Sequence, residues 1–266
     1  MRRLLSYALS VLLAAGLATA AFAAPPPPAA APQESTAAPP ASAAAAFTPA
    51  QQEAIVAIVR HALQTDPTLL RDAIIALQQD NAARKEHAEA AAIAALAPDL
   101  LHNPADPTEG NPKAAVTVVE FFDPRCPYCR SMLPAIATLL AHHPDVRVVY
   151  KDIPILGPES VLAAKVLTAA EAQGGFQKMM QTVMTGPADI TLETLHAAAT
   201  KNGLDWAKIR KSMDSDTVAD QLHANIDLAR KLGIDGTPAY IIGLHVYPGL
   251  LTVEQLEKAV AEARQQ

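Results

Sequence analysis

The sequence predicts an α/β fold that carries a long helical insertion. A strand, a helix and a second strand follow one another between residues 114 and 154, and a largely helical stretch occupies residues 157–232. A short hairpin and a capped helix close the chain. Strands that alternate with helices favour a sheet covered by helices. We expect this α/β domain to occupy residues 98–266.

The first residues show the pattern of a secretory signal. Arg2 and Arg3 precede an apolar run that begins at Leu4, and Ala21-Phe22-Ala23 offers a small-x-small cleavage site. We therefore assign residues 1–23 to a signal peptide and expect the mature protein in the periplasm, where disulfide chemistry is normal. An uncleaved membrane anchor is the alternative, although polar residues and a glycine interrupt the apolar run.

The charge balance argues against a nucleic-acid partner. The chain has 21 Lys and Arg residues against 27 Asp and Glu residues, a formal net charge of −6. Cleavage of the signal peptide would remove two positive charges and no negative ones. Binding to nucleic acid needs a basic surface, which this composition does not favour. We expect no nucleic-acid partner, no cofactor and no resident metal.

Two further segments precede the α/β domain. Residues 24–46 contain seven prolines and almost no large apolar side chain, so we interpret them as an extended linker. Residues 47–97 show two amphipathic helical patterns, each opened by a cap residue and a proline. Roughly 50 residues bury too little surface to be stable alone. We interpret residues 47–97 as an oligomerisation segment; docking on the chain's own α/β domain is the alternative.

The only two cysteines of the chain, Cys126 and Cys129, lie in the stretch EFFDPRCPYCR. A disulfide that closes so short a ring contributes little as a structural staple. A closed zinc site needs about four ligands, and no histidine lies close to the pair in the sequence. We therefore interpret the pair as a redox-active dithiol. Binding of copper(I), which accepts fewer and softer ligands, stays open.

The strand before the pair and the helix after it place Cys126 at a helix N-terminus. Cys129 follows one turn later, and residues three apart on a helix are close enough for a reversible disulfide. Unpaired N–H groups and the helix dipole favour an anion at Cys126, so we assign it as the attacking thiolate and Cys129 as the resolving thiol. Pro127 suits the first helical turn, and we expect Tyr128 to be exposed. Arg125 either adds positive potential or is an ordinary solvated charge.

Glu120 lies within the apolar strand that leads to the cysteines. A carboxyl group in such a strand is costly unless it has a partner, and we expect burial to raise its pKa. We interpret Glu120 as a proton relay for Cys129. An ion pair with Lys151 on the next strand is the alternative.

The stretches VVEFFDPRCPYCR, GTPAYIIG and VYPG resemble the DsbA-type branch of the thioredoxin superfamily. The resemblance covers residues 98–266 and implies a thioredoxin fold with a helical insertion. It also implies a cis peptide bond between Thr237 and Pro238 that faces the sulfurs, with the backbone of Thr237 pairing with a bound substrate. We assign substrate binding to Pro127, Tyr128, Thr237 and Pro238.

The stretch KDIPILGPES and the N-terminal helical segment resemble, more narrowly, ScsC-like and outer-membrane-immunogen-like proteins. This resemblance implies oligomerisation through the N-terminal helices and disulfide shuffling. The Pro-Tyr dipeptide is similar to oxidising members, whereas the threonine before the cis-proline is similar to isomerases.

We expect a disulfide isomerase or reductase that acts on cysteine-containing exported proteins and is reset by a membrane redox partner. The alternatives are a DsbA-like dithiol oxidase, a copper(I)-binding protective protein, and an adhesion protein whose function lies in residues 47–97.

Overall fold

The computed structural model describes residues 47–265. The predicted signal peptide and linker, residues 1–46, lie outside the described residues. The described helices are α1 Pro49–Thr65, α2 Pro67–Leu101, α3 Pro127–His142, α4 Pro158–Glu171, α5 Phe176–Thr185, α6 Leu192–Lys201, α7 Trp206–Ser212, α8 Asp216–Lys231 and α9 Val253–Ala263. The strands are β1 Thr108–Gly110, β2 Val116–Phe122, β3 Val146–Asp152, β4 Ala239–Ile242 and β5 His245–Pro248.

Contacts divide the described residues into two units, one ending at Leu69 and the other beginning at Leu70. In the first unit, α1 begins with a capping box, in which Thr48 and Gln51 exchange hydrogen bonds between side chain and backbone. None of the residues of α1 is buried, and Ile58 is 67% exposed. Within residues 47–265, none of the helices combines the length and the apolar composition that crossing a bilayer requires.

The second unit contains a five-stranded sheet in the order β1-β3-β2-β4-β5. β2 and β3 pair in parallel, and the other pairs are antiparallel. α3 connects the parallel pair, whereas α4 to α8 lie between β3 and β4 in the chain. The α/β fold with a long helical insertion, predicted from the sequence, is confirmed, and so is the helical segment that precedes it.

Helices cover both faces of the sheet, which explains why β2 is apolar along almost its whole length. Side chains alternate between the two faces of a strand. Val118 and Phe122 belong to the core formed with α3, α9 and most of the helical insertion. Val119 and Phe121 belong to a second core, which includes residues of α2 and α8.

The last turns of α2 are part of the second core. Ile93 and Leu100 are buried there, with 3% and 0% of their surface exposed. The helix therefore continues through Pro98 to Leu101, past the domain boundary predicted at residue 97. A proline inside a helix removes one backbone hydrogen bond, and burial of this final turn offsets that loss.

Two basic side chains of β3 also hold the end of α2. Lys151 Nζ donates to the carbonyl oxygen of Asp99 at 2.6 Å, and Arg147 Nη2 donates to that of Leu101 at 2.7 Å. These carbonyl groups belong to the last turn of the helix, where no intrahelical donor is available. Lys151 also forms a buried ion pair with Asp106. The end of α2 is thus fixed to the sheet by polar as well as apolar contacts.

Glu89 joins α2 to the edge strand β5, because its Oε1 accepts a hydrogen bond from the Val246 N–H at 2.8 Å. We expect Glu89→Ala to lower the free energy of unfolding by about 1–2 kcal/mol, since a partly buried N–H group loses its acceptor. Urea denaturation would measure the change. Glu86→Ala on the same helix is the matched control, with an expected change within about 0.5 kcal/mol. Equal losses in the two variants would contradict this role of Glu89.

Candidate active site

The two cysteines lie at the start of α3, as predicted. Cys126 is the N-cap residue, Pro127 is the first helical residue and Cys129 follows in the first turn. The Cys126 N–H donates to the carbonyl oxygen of Asp123 at 3.0 Å, which closes the turn between β2 and α3. Both thiols are free and buried, with 3% of Cys126 and 0% of Cys129 exposed. Cys126 is therefore the more accessible sulfur of the pair.

The loop before β4 faces the first cysteine. Cys126 Sγ lies 3.3 Å from the carbonyl oxygen of Thr237, and the Thr237-Pro238 peptide bond is cis, as the family resemblance implies. The carbonyl oxygen of Pro238 accepts a hydrogen bond from the Gly249 N–H at 2.8 Å, just after β5. The structure thus brings Thr237 and Pro238 to the dithiol, while their role in binding substrate stays a prediction.

Tyr128 and Arg125 differ in how free their side chains are. Tyr128 is 60% exposed, in agreement with its predicted position on the surface. Arg125 donates from Nη1 to the carbonyl oxygen of Leu156 at 2.7 Å and to Glu159 Oε2 at 3.1 Å. Its charge is therefore paired, which reduces the positive potential that it can add near the thiols.

Glu120 is buried behind the dithiol, with 4% of its surface exposed. It lies opposite Tyr150 on β3 and Tyr240 on β4, and the Tyr240 hydroxyl donates to Glu120 Oε1 at 3.0 Å. Burial raises the pKa of the Glu120 carboxyl from 4.5 to about 8. The negative charge of Glu109 raises this pKa further, whereas the hydrogen bond from Tyr240 lowers it.

The alternative ion pair between Glu120 and Lys151 is wrong. Phe121, not Glu120, lies opposite Lys151 in the register of the sheet. Because neighbouring residues of a strand point to opposite faces, Glu120 and Lys151 are on different sides of the sheet. Lys151 binds Asp106 there, and Glu120 is left with a tyrosine as its hydrogen-bond partner.

Cys129 is held as a thiol by its surroundings. Burial raises its pKa well above the ordinary value, and the neighbouring Cys126 and Glu120 raise it further. The backbone N–H of Asp123 acts in the opposite direction. Cys129 can therefore attack only when a nearby group accepts its proton. A carboxyl group with a near-neutral pKa suits that task, and Glu120 is close enough to influence Cys129 electrostatically.

Asp123 is a residue of the site that sequence reasoning missed. Its side chain is fully buried and accepts four hydrogen bonds, from the backbone N–H groups of Arg125, Ile155 and Leu156 and from the hydroxyl group of Ser160. The available signal was an acidic residue at the end of an apolar strand, three positions before the first cysteine.

Among residues 47–265, no group of three or more His, Cys, Asp or Glu side chains is arranged to hold a metal ion. The copper(I) alternative therefore rests on the two thiols themselves.

Known structures resemble either about the length of the α/β domain or most of the chain. The crystal structure of a thioredoxin-like oxidoreductase from Silicibacter pomeroyi DSS-3 is 35% identical, with a TM-score of 0.62, and the match covers 64% of this chain and 98% of that one. Proteus mirabilis ScsC in a transitional conformation is 31% identical, with a TM-score of 0.60, over 83% of this chain and 98% of that one.

Curated relatives are matched only in part. The Na(+)/H(+) antiporter NhaA 3 of Salinispora tropica is 30% identical over 160 residues, which are 59% of this chain and 24% of the antiporter. The chain thus spans about a quarter of the length of the first curated relatives that it matches. A family model described as a DSBA-like thioredoxin domain matches residues 117–261, more than half of the chain. The chain therefore belongs to the DSBA-like thioredoxin family, with ScsC among its structural neighbours.

Proposed function

We propose that the protein is a periplasmic thiol:disulfide interchange protein that acts as an isomerase or reductase on cysteine-containing exported proteins. The observation that carries the proposal is the arrangement of the two thiols. Cys126 begins α3 beside the carbonyl oxygen of Thr237, and Cys129 is buried one turn later near Glu120. The family match and the predicted signal peptide, residues 1–23, support the same proposal.

Exchange begins with the attack of the Cys126 thiolate on a substrate disulfide. A bond forms between Cys126 Sγ and one substrate sulfur, the substrate disulfide breaks, and the second substrate sulfur leaves as a thiolate. The amide groups and the dipole at the start of α3 favour negative charge on Cys126 before the attack. We expect the backbone of Thr237, whose carbonyl oxygen lies 3.3 Å from Cys126 Sγ, to pair with the extended substrate segment around its cysteine.

The mixed disulfide has two outcomes. In reduction, Glu120 accepts the proton of Cys129, whose sulfur then attacks Cys126 Sγ; the Cys126–Cys129 disulfide forms and the substrate leaves with both sulfurs reduced. A membrane redox partner then has to return two electrons to the protein. In isomerisation, another substrate thiolate attacks the mixed disulfide instead, and Cys126 leaves as the thiolate with no net change in oxidation.

Refolding of a model protein with several disulfides separates isomerase from oxidase activity. The reduced protein should restore activity to a scrambled, fully oxidised substrate, with Cys126→Ala as the inactive control. Disulfide formation in a reduced substrate without any effect on the scrambled one would overturn the isomerase proposal. That outcome would favour a DsbA-like oxidase, the candidate to which the Pro127-Tyr128 dipeptide is similar.

We also propose that residues 47–97 assemble the protein into a homo-oligomer. α1 and the first half of α2 expose many large apolar side chains: Ile55, Val56, Ile58, Val59, Leu63, Leu69, Leu70, Ile74, Ile75 and Leu77. Apolar surface of this extent on a monomer is typical of a protein interface. An oligomer would present several dithiols to one substrate, which favours reshuffling of its disulfides.

Charged substitutions of these exposed apolar residues should dissociate the oligomer. Ile58 is 67% and Leu77 is 59% exposed, so Ile58→Asp and Leu77→Asp should leave the monomer folded while placing charge in an apolar contact. Light scattering should show a fall in mass to that of one chain. Leu250→Asp, at a 50% exposed position of the α/β domain, is the matched control and should keep the wild-type mass. An unchanged mass in all three variants would contradict an interface at Ile58 and Leu77.

A further inference from the structure

Asp123 links the turn that carries the dithiol to the start of the helical insertion. One carboxyl oxygen, Oδ1, accepts from the Arg125 N–H at 2.8 Å and from Ser160 Oγ at 2.9 Å. The other oxygen, Oδ2, accepts from the N–H groups of Ile155 and Leu156 at 2.9 and 3.0 Å. The side chain is completely buried, so no solvent replaces the carboxyl group as the acceptor for these donors if it is removed.

Three of the four donors are main-chain amides, which cannot reverse their direction. Both oxygens at this position must therefore accept, and a carboxyl group is the side chain that provides two acceptors without a donor. A second link runs in parallel, because the Arg125 guanidinium donates to the carbonyl oxygen of Leu156. The turn before Cys126 is thus fastened to the loop between β3 and α4 through Asp123 and Arg125.

We propose that Asp123 is a positioning residue that sets the redox equilibrium of the dithiol by holding this turn in the reduced protein. The proposal rests on the dithiol chemistry proposed above. In the oxidised protein, the covalent bond between Cys126 and Cys129 itself closes the turn. In the reduced protein, hydrogen bonds of the turn and packing in the core, without a covalent bond, hold Cys126 at the helix N-terminus, where its thiolate gains from the helix amides. Loss of a bond to Asp123 should therefore destabilise the reduced form more than the oxidised form.

Asp123→Asn tests this difference with a side chain of the same shape. The orientation that sacrifices fewest bonds keeps the amide oxygen on Ile155 and Leu156 and turns the NH₂ group towards Ser160, whose hydroxyl can accept. The Arg125 N–H then faces a donor and has no acceptor. We expect the equilibrium with the glutathione redox couple to shift about tenfold towards the disulfide form, the equivalent of one ordinary hydrogen bond.

Ser160→Ala is the matched control, because it removes one donor from the same oxygen and leaves the three main-chain bonds intact. It should change the glutathione equilibrium less than about twofold, since its donor does not belong to the turn before Cys126. A folded Asp123→Asn variant with the wild-type equilibrium would overturn the proposal, as would equal shifts in the two variants. A wild-type dithiol that does not exchange with glutathione at all would instead overturn the proposed function.

Hydrogen exchange in the reduced wild-type protein keeps the proposal testable if Asp123→Asn does not fold. The amides of Arg125, Ile155 and Leu156 share one acceptor group, so they should be protected to a similar degree and exchange through a common opening. An Arg125 amide that exchanges much faster than the other two would show that Asp123 does not hold the turn, and would overturn the proposal.

Discussion

Cys126→Ser should reduce disulfide exchange to the rate observed without protein, whereas Cys129→Ser should accumulate mixed disulfides with the substrate. Cys126 is the more accessible sulfur of the pair and lies at the helix N-terminus, and a serine hydroxyl cannot replace its thiolate as a nucleophile. Cys129 is buried behind it, so its loss leaves the first attack possible but removes the thiol that releases the substrate. Mass spectrometry of the acid-quenched reaction would detect the trapped complex.

Ser131→Ala on the same helix is the control for the two cysteine variants, and it should exchange disulfides at the wild-type rate. Trapping of substrate by Cys126→Ser through Cys129 would reverse the assigned order of attack. Full activity of either cysteine variant in substrate reduction would contradict a dithiol mechanism.

Glu120→Gln should stabilise the protein at alkaline pH and slow the resolving step. The folded-state pKa of Glu120, about 8, is higher than its ordinary value of 4.5. Its contribution to stability is therefore complete below about pH 4.5 and is lost as the pH rises through 8, where the buried carboxyl group ionises. The loss amounts to at most about 5 kcal/mol, and glutamine, which never ionises, avoids it.

Urea denaturation of both proteins between pH 4 and pH 9 would measure this difference. The free energies of unfolding of the wild-type protein and of Glu120→Gln should be closest at pH 4 and should diverge as the pH rises. Loss of the proton acceptor should also slow the attack of Cys129 on the mixed disulfide by about 10²–10⁴-fold. Glu109→Gln, which removes a partly exposed carboxyl group on β1, should retain most of the pH dependence. If Glu120→Gln shows the same pH dependence of stability and the same exchange kinetics as the wild-type protein, the role of Glu120 as proton acceptor for Cys129 is contradicted.

Local sequence patterns were sufficient to place the dithiol. The apolar run before Asp123 and the proline after Cys126 define the end of a strand and the start of a helix, and the three-residue spacing puts Cys129 in the first turn. These features depend on residues that are close together in the chain. The family resemblance added Thr237 and Pro238, which lie more than a hundred residues away.

Contacts between distant segments could not be predicted in this way. Lys151 was a reasonable partner for Glu120 by strand order, but a register offset of one residue places it on the other face of the sheet. The actual partner, Tyr240, comes from a strand that pairs with β2 only after the whole helical insertion. The donors that hold Asp123 depend in the same way on the path of the chain after β3.

The end of α2 was misjudged because its sequence is rich in alanine and has few large apolar residues. Ile93 and Leu100 lie two turns apart on one face of the helix and are buried against the sheet, but the residues around them are mostly small. The contacts that Lys151 and Arg147 make with its last carbonyl groups leave no signal in the helix itself.

These contacts determine where the chain can be cut without loss of the catalytic fold. A protease cleavage before Glu89 would release a fragment that keeps the second core and the hydrogen bond between Glu89 and the edge strand β5. Cleavage at residue 97 would strip Ile93 from that core and expose Phe121 and Val119 to water, so the fragment should precipitate. The smallest fragment that keeps the fold of the α/β domain therefore includes the end of α2, part of which the sequence assigned to the oligomerisation segment.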